Sequence, residues 1–151
     1  MKPIFIAHRG NTHGAQPTFE NQIGYLLDAR AQGYAVECDI QVYKDNLYLG
    51  HDEPQQSFPV ELMGDNKVIC HAKTPEAFQI LLDMRQHCFY HENDQVTLTS
   101  QGYIWCFPGV HPRLNRSIWL DLHDKPLPKT VRGIYGICGD RRSIMDELFE
   151  R

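Results

Sequence analysis

Short apolar runs recur along the chain, and polar or turn-forming segments separate them. The first run, residues 4–7, leads straight into a His-Arg-Gly sequence, which is typical of a buried strand that ends in a loop. Apolar and polar positions alternate in residues 34–42 and predict a second strand. Residues 96–99 and 103–107 flank a Ser-Gln-Gly turn and should form either a hairpin or two barrel strands. Further strands are predicted over residues 47–52, 68–73, 88–91, 117–122 and 133–138.

Helical spacing of apolar residues is found in three segments. Thr18 is suited to cap the first of these helices, and Gly33 is suited to end it. Thr74 and Pro75, a capping residue followed by proline, favour the start of the second helix. Little helix is expected between residues 91 and 122. The three predicted helices span residues 18–32, 75–85 and 142–150.

The order of these elements predicts the fold class. Strands that alternate with helices indicate an α/β fold with a parallel sheet. A complete eight-fold barrel of this kind needs roughly 200–250 residues, whereas this chain has 151. We therefore expect one domain spanning residues 1–151, built as a trimmed TIM-type (β/α) barrel in which several crossover helices are missing.

Composition and charge exclude several classes of function. The formal net charge of −4 argues against a nucleic-acid partner, because such partners favour a basic face. No apolar run approaches the roughly 18 residues of a membrane span, and the first residues lack the apolar stretch of a signal peptide. The five cysteines are odd in number and widely spaced, which argues against a disulfide framework. These features predict a cytoplasmic protein with reduced thiols.

Glu37 and Asp39 are the most informative pair of polar residues. Side chains two positions apart on a strand share a face, so both carboxylates should point the same way. Two adjacent carboxylates repel each other and are costly to bury unless a cation lies between them. Oxygen ligands of this kind suit Mg²⁺ or Ca²⁺. The pair predicts a metal site, with two solvated charges on an exposed strand as the alternative.

Two histidines lie at the ends of predicted strands. His8 and Arg9 follow the first apolar run directly, and His51 ends another strand. The carboxyl ends of parallel strands are where α/β enzymes place their functional groups. Two histidines can supply a general acid and a general base near neutral pH, and an arginine can bind phosphate oxygens through a forked contact. The combination predicts an enzyme that acts on a phosphate ester.

At these positions the sequence resembles the glycerophosphodiester phosphodiesterases, which belong to the phospholipase C-like phosphodiesterase barrels. The resemblance covers roughly the first third of the chain and is carried by four motifs in the family's order and spacing. Within them, Glu20 and Asn21 would support the site from the first loop and helix, with helix capping as the alternative role. The motifs are IAHRG at 6–10, FEN at 19–21, GYAVECDI at 33–40, and KDN at 44–46 leading to HD at 51–52.

The resemblance implies a role for each of the main residues. Glu37 and Asp39 would hold a divalent metal ion. His8 and His51 would be the acid and base pair, with the assignment between them left open. Arg9 would bind phosphate.

The next motif of the family departs from this pattern. The family has a strand that carries a glutamate, one residue and then a lysine, whereas this chain has His71, Ala72 and Lys73. Lys73 would retain its contact with phosphate, and His71 replaces the glutamate that completes the metal site. A neutral imidazole favours Mn²⁺ or Zn²⁺ over Ca²⁺. Alternatively, His71 does not ligate, and water fills the position.

Other departures concern the rim of the site. The segment that covers the substrate in the family is reduced here to residues 53–66, which predicts an open mouth. Asp140 matches the aspartate that ends the family's last strand, but this match is weaker. His91 begins a polar cluster that could reach the same rim, although the Asn and Asp that follow it favour a turn. The aromatic residues Trp105, Phe107 and Trp119 are predicted to pack the barrel rather than to contact a substrate.

The sequence therefore predicts metal-dependent hydrolysis of a small-molecule or polymeric phosphodiester, with no nucleic-acid partner. A non-catalytic module that binds a phosphorylated ligand is the alternative, because His71 replaces a glutamate and the barrel is short. Retention of both histidines, both carboxylates, Arg9 and Lys73 favours the enzyme. A purely structural or metal-storage domain would leave the histidine pair unexplained.

Overall fold

The computed structural model describes residues 1–122 and 124–149. These residues form ten strands and three α-helices. The strands are Ile4–His8 (β1), Ala35–Tyr43 (β2), Asn46–Leu49 (β3), Gln56–Ser57 (β4), Val68–Ala72 (β5), Cys88–Phe89 (β6), Val96–Leu98 (β7), Ile104–Cys106 (β8), Ser117–Asp121 (β9) and Gly136–Gly139 (β10). The helices are Ile23–Ala31 (α1), Pro75–Asp83 (α2) and Ile144–Phe149 (α3).

One curled, mixed sheet organises the molecule. Seven strands run parallel in the order β6-β5-β2-β1-β10-β9-β8, and β7 is added antiparallel to β8. These eight strands form a half-barrel. The far end of β2 also pairs with the antiparallel strands β3 and β4, which form a side branch. The α/β class predicted from the sequence is confirmed.

The half-barrel does not close into a TIM barrel. Its two ends approach each other, since the rings of Phe89 and Trp105 stack with centroids 4.3 Å apart, and the Ser100 amide donates to the Cys88 carbonyl at 2.8 Å. In the described part of the chain, however, no strand pairing joins β6 to β7 or β8. The reason lies in β8, which has β9 on one edge and the hairpin partner β7 on the other. The edge that could have paired with β6 is therefore already occupied.

The helices agree with the sequence in number but not in their bounds. No α-helix lies between residues 91 and 122, all of which the structure describes, so that expectation is confirmed. The first helix begins at Ile23 rather than Thr18, because Asn21 adopts a left-handed φ of 62° that a helix cannot continue through. The second helix ends at Asp83, and Arg85 beyond it is also left-handed. The third begins at Ile144 rather than residue 142, and its predicted end at Glu150 lies outside the described residues.

Each face of the sheet buries its own apolar cluster. The outer face packs against the helices through Leu26, Leu81 and Met145, among others. The inner face is filled by Ile6, Phe89, Trp105 and Leu120 with their neighbours, and contains no helical residue in the described part of the chain. The helices thus cover one side, which leaves the concave side and the strand ends free to hold a site. None of the described helices is long and apolar enough to cross a membrane.

The His87 side chain links two loops beside the sheet. Its environment makes us expect that the stability of the protein depends on pH. Its Nδ1 lies 2.9 Å from the Asn66 carbonyl and its Nε2 lies 2.8 Å from the Thr99 hydroxyl, an arrangement that suits the neutral ring. Burial lowers the pKa of His87 below 6.5, helped by the charge of Lys67. Because the unfolded chain takes up this proton first, the stabilising contribution is complete above the unfolded pKa and is lost as pH falls.

Replacing His87 by glutamine should test this contribution. We expect the substitution to lower the free energy of unfolding by about 1–3 kcal/mol at pH 8, since it breaks two buried hydrogen bonds. The difference from the wild-type protein should shrink as the pH is lowered towards about 5. Urea unfolding curves measured across this range give both quantities. A difference that stays constant with pH would contradict the role assigned to the neutral ring.

Candidate active site

Polar side chains from several strand ends meet in one pocket of about 160 Å³. His8 and Arg9 come from the end of β1, Glu37 and Asp39 from β2, and His71 from β5. Every residue for which the sequence predicts a catalytic, phosphate-binding or metal-binding role lines this pocket. The polar lining is His8, Arg9, Glu37, Asp39, His51, His71, Lys73 and His91.

Glu37 and Asp39 lie side by side and are almost completely buried, with 2% and 1% of their surfaces exposed. The alternative of two solvated charges is therefore wrong. Asp39 accepts a hydrogen bond from the Asn21 amide group at 2.9 Å, and Glu37 accepts one from the backbone N–H of Arg9 at 3.2 Å. Burial alone would raise the pKa of Asp39, but His71 and Arg9 outweigh it and hold that pKa well below its ordinary value. Asp39 is thus kept ionised inside the protein.

His71 completes a group that could hold a metal ion. Its Nδ1 lies 3.4 Å from a carboxylate oxygen of Asp39 and 3.7 Å from one of Glu37. The three residues each offer one ligand atom, and these atoms all lie within 4.8 Å of one another. Two carboxylate oxygens and one imidazole nitrogen, buried together, fit a divalent cation. The two carboxylates raise the pKa of His71 against the opposing effect of burial, so a proton competes with the ion for this nitrogen.

Arg9 and Lys73 place positive charge on the same carboxylates. The Arg9 Nε lies 3.1 Å from Asp39 Oδ2, although the two are not aligned as a hydrogen bond, and Lys73 Nζ lies 3.7 Å from Asp39 Oδ1. Arg9 adopts a left-handed φ of 55°. This guanidinium and ammonium pair offsets the buried negative charge. Both groups line the pocket, where they could also contact a phosphate.

Glu20 and Asn21 support the site and do not cap the helix. The helix N-cap is Gln22, which makes no side-chain capping bond. Asn21 instead forms two hydrogen bonds of 2.9 Å with Asp39, one to its carboxylate and one from its backbone N–H. Glu20 accepts a hydrogen bond from the Arg9 guanidinium at 3.2 Å. The turn before α1 is therefore used to hold Arg9 and Asp39 in place, and the capping alternative is wrong.

His8 is oriented by the carboxylate of Asp140, the residue that directly follows the last strand. Its Nδ1 lies 2.8 Å from Asp140 Oδ1, and the Asn11 amide donates to the same oxygen at 2.9 Å. With Nδ1–H donated to Asp140, the Nε2 of His8 is the nitrogen left for proton transfer. Burial lowers the pKa of His8, but Asp140 and Glu37 outweigh it and leave the pKa raised. The same contact lowers the pKa of Asp140 against the effect of burial.

Of the two residues that hold His8 in place, Asp140 and Asn11, the sequence pointed only to the first. Asp140 entered as a weak match, and Asn11 was missed, although it follows the His-Arg-Gly motif directly. The Asn11 side chain also accepts a hydrogen bond from the Tyr25 hydroxyl at 2.9 Å, which ties the loop after β1 to the first helix. The signal that could have found Asn11 is its position, one residue beyond a strand-end motif, where amide side chains commonly fix loops.

His51 lies at the mouth of the pocket rather than in its interior. Its side chain is 41% exposed, and its Nδ1 lies 2.7 Å from Asp52 Oδ1. Gly50 before it has a φ of 153°, and a Cβ at that position would lie 1.9 Å from the Glu53 carbonyl oxygen. Only glycine fits this turn, which brings His51 back towards the strand ends. Residues 53–66 are all described, and none of them lines the pocket.

Two further residues line the pocket that the sequence did not assign to it firmly. His91 was assigned either to the rim or to a turn, and the structure places its ring parallel to that of His71, with centroids 5.1 Å apart. Burial lowers the pKa of His91, as do His71 and Lys73. Phe107 was predicted to pack the barrel, but it is 45% exposed and lines the pocket. Trp105 and Trp119 are buried as expected, with 3% and 0% exposed.

No family model, no curated protein and no solved structure matches the chain. The resemblance to phosphodiesterases therefore rests on the motif residues of the sequence.

Proposed function

We propose that this protein is a metal-dependent phosphodiesterase whose reaction resembles that of the glycerophosphodiester phosphodiesterases. One observation carries the proposal above the others. His8, which is hydrogen-bonded to Asp140, lines the same pocket as the Glu37, Asp39 and His71 group. An oriented acid or base therefore lies beside a set of residues suited to a divalent cation, which is the combination that phosphodiester hydrolysis needs.

The residues divide the reaction between them. A divalent ion held by Glu37, Asp39 and His71 would supply Lewis-acid polarisation of a phosphate oxygen. Arg9 and Lys73 bind the remaining charge of the phosphate. Their positions beside Asp39 put two cationic groups in the pocket before any substrate arrives.

His8 and His51 transfer the protons. One histidine takes a proton from the attacking water or from a neighbouring substrate hydroxyl as the new P–O bond forms. The other gives a proton to the leaving alkoxide as the old P–O bond breaks, so that an alcohol is released. Asp140 holds His8 in one orientation, whereas the His51 ring at the exposed mouth pairs with its neighbour Asp52.

A phosphate-binding module is the second candidate, and one observation favours it. His71 lies between two carboxylates that raise its pKa, and its ion pairs with them offset the negative charge of the pocket without a metal ion. A binding module has no need, however, for a histidine fixed by a half-buried aspartate. The orientation of His8 by both Asp140 and the Asn11 that holds it supports the enzyme.

Hydrolysis assays on the metal-stripped protein test the proposal. Mg²⁺, Mn²⁺, Ca²⁺ and Zn²⁺ should be supplied singly, with a glycerophosphodiester and bis(p-nitrophenyl) phosphate as substrates. We expect turnover with at least one of these ions, its loss on chelation, and its absence in Glu37→Gln. Wild type without turnover under any combination, but with metal-dependent binding of inorganic phosphate, would favour the binding module.

A further inference from the structure

The pocket has two chemically different walls. One wall carries the charged and imidazole groups from the ends of β1, β2 and β5. The other comes from β8, β9 and the residues that follow them, and it is apolar. The apolar lining is Trp105, Cys106, Phe107, Pro108, Leu120 and Leu122. A site for phosphate alone has no use for the second wall.

Phe107 is the member of the apolar wall with the most accessible surface. Its side chain is 45% exposed, whereas Trp105 is 3% exposed, Cys106 is 0% exposed and Leu120 is 7% exposed. The exposure is not that of a loose loop. The Phe107 backbone N–H donates to the Gln95 carbonyl at 2.8 Å, and its carbonyl accepts from Val110 at 3.0 Å. Its ring also meets that of His91 edge-on, with centroids 6.3 Å apart and planes at 89°.

The volume of the pocket limits how much of a ligand can be enclosed between the two walls. Its volume of about 160 Å³ is well below the roughly 300–1,000 Å³ of sites that enclose a whole small ligand. The pocket therefore encloses a phosphate and its nearest atoms, and the rest of a bound molecule extends past the mouth. Phe107 both lines the pocket and reaches solvent, so it borders that path.

We propose that Phe107 is a specificity-determining residue, which selects phosphodiesters with an apolar or aromatic group on one of their alcohols. The inference rests on the proposed function and names the substrate class of the same site. With the phosphate on the charged wall, such a group lies against Phe107 and removes apolar surface of both partners from water. A small polyol such as glycerol leaves the Phe107 ring in contact with water, so the ring adds nothing to its binding free energy.

Two phosphonates of equal charge measure this selection without the bias of leaving-group reactivity. Phenylphosphonate and methylphosphonate, which cannot be hydrolysed, are titrated calorimetrically into the protein with saturating Mn²⁺. We expect the wild-type protein to bind the phenyl compound about 10-fold more tightly, the scale of one added apolar contact in a pocket. Phe107→Ala should reduce that preference to about two-fold while leaving the affinity for methylphosphonate nearly unchanged. Phe107→Leu should retain most of the preference.

Phe19→Ala is the matched control. Phe19 is an aromatic residue with 54% of its surface exposed, and it stacks on Tyr25 outside the pocket. Its removal should leave both affinities as in the wild-type protein. Equal binding of the two phosphonates by the wild-type protein, or a preference that survives in Phe107→Ala, would overturn the inference and leave the proposed function intact. Failure of the wild-type protein to bind either phosphonate would overturn both.

Discussion

Replacing His8 by alanine should slow phosphodiester hydrolysis by about 10²–10⁴-fold, the range expected for loss of a general acid or base. The imidazole is partly buried, is fixed by Asp140 at 2.8 Å and lies in the same pocket as the metal-binding group. The other member of the predicted acid and base pair, His51, lies at the mouth, where its side chain is 41% exposed. The rate constant kcat under saturating metal ion is the quantity to measure, and a change of less than about three-fold would contradict the role of His8.

Asp140→Asn separates a chemical role of His8 from a structural one. The carboxylate raises the pKa of His8, so its loss should lower that pKa. The limb of the pH profile of kcat/KM that His8 controls should then move to lower pH, whether His8 acts as acid or as base. A merely structural contact between the two residues would lower kcat without moving that limb.

Replacing Asp39 by asparagine should weaken binding of a divalent ion by about 100-fold or more, because an ionised ligand is lost at the centre of the group. The substitution keeps the shape of the side chain. Asp52→Asn is the matched control, since it removes the same charge at the mouth, where the Asp52 side chain is 91% exposed. Calorimetric titration with Mn²⁺ at constant pH compares the variants. Equal dissociation constants for Asp39→Asn and the wild-type protein would exclude the metal site.

His71 decides which ions the site prefers. If its Nδ1 is the third ligand, His71→Ala should weaken Mn²⁺ binding by about 10-fold or more, and His71→Glu should shift preference towards Mg²⁺ and Ca²⁺. Affinity in the wild-type protein should also rise with pH through the raised pKa of His71, since only the neutral ring ligates. An unchanged dissociation constant in His71→Ala would leave a site of two carboxylates completed by water.

Local pattern was enough to place most of the candidate site. Alternation along residues 34–42 put Glu37 and Asp39 on one face, and the structure has that face turned inward. His8 and Arg9 were placed by a single rule, that the ends of parallel strands meet at one edge of a sheet, whereas Lys73 was placed by the resemblance to the phosphodiesterases. Both inferences use only neighbours along the chain, for which strand geometry is nearly invariant.

What escaped the sequence depends on contacts between distant segments. Asn21 is a residue type that favours the start of a helix. Only its hydrogen bonds to Asp39, 18 residues further on, show why the chain forms a turn at Asn21 instead of a helix. Asp140 meets His8 across 132 residues because β10 happens to pair with β1. The open half-barrel depends on which edge of β8 the hairpin strand β7 occupies. Phe107 has the apolar character of a core residue, and its exposure follows from that same hairpin.

One measurement tests most directly whether a metal ion and a phosphate meet in this pocket. Crystals grown with Mn²⁺ and phosphate should show an anomalous scattering peak at ligand distance, about 2.0–2.3 Å, from oxygens of Glu37 and Asp39. A phosphate should lie beside that ion, within hydrogen-bond distance of Arg9 or Lys73. The account predicts both features in one pocket. A pocket without the anomalous peak, with Arg9 and His71 still paired to the two carboxylates, would contradict it.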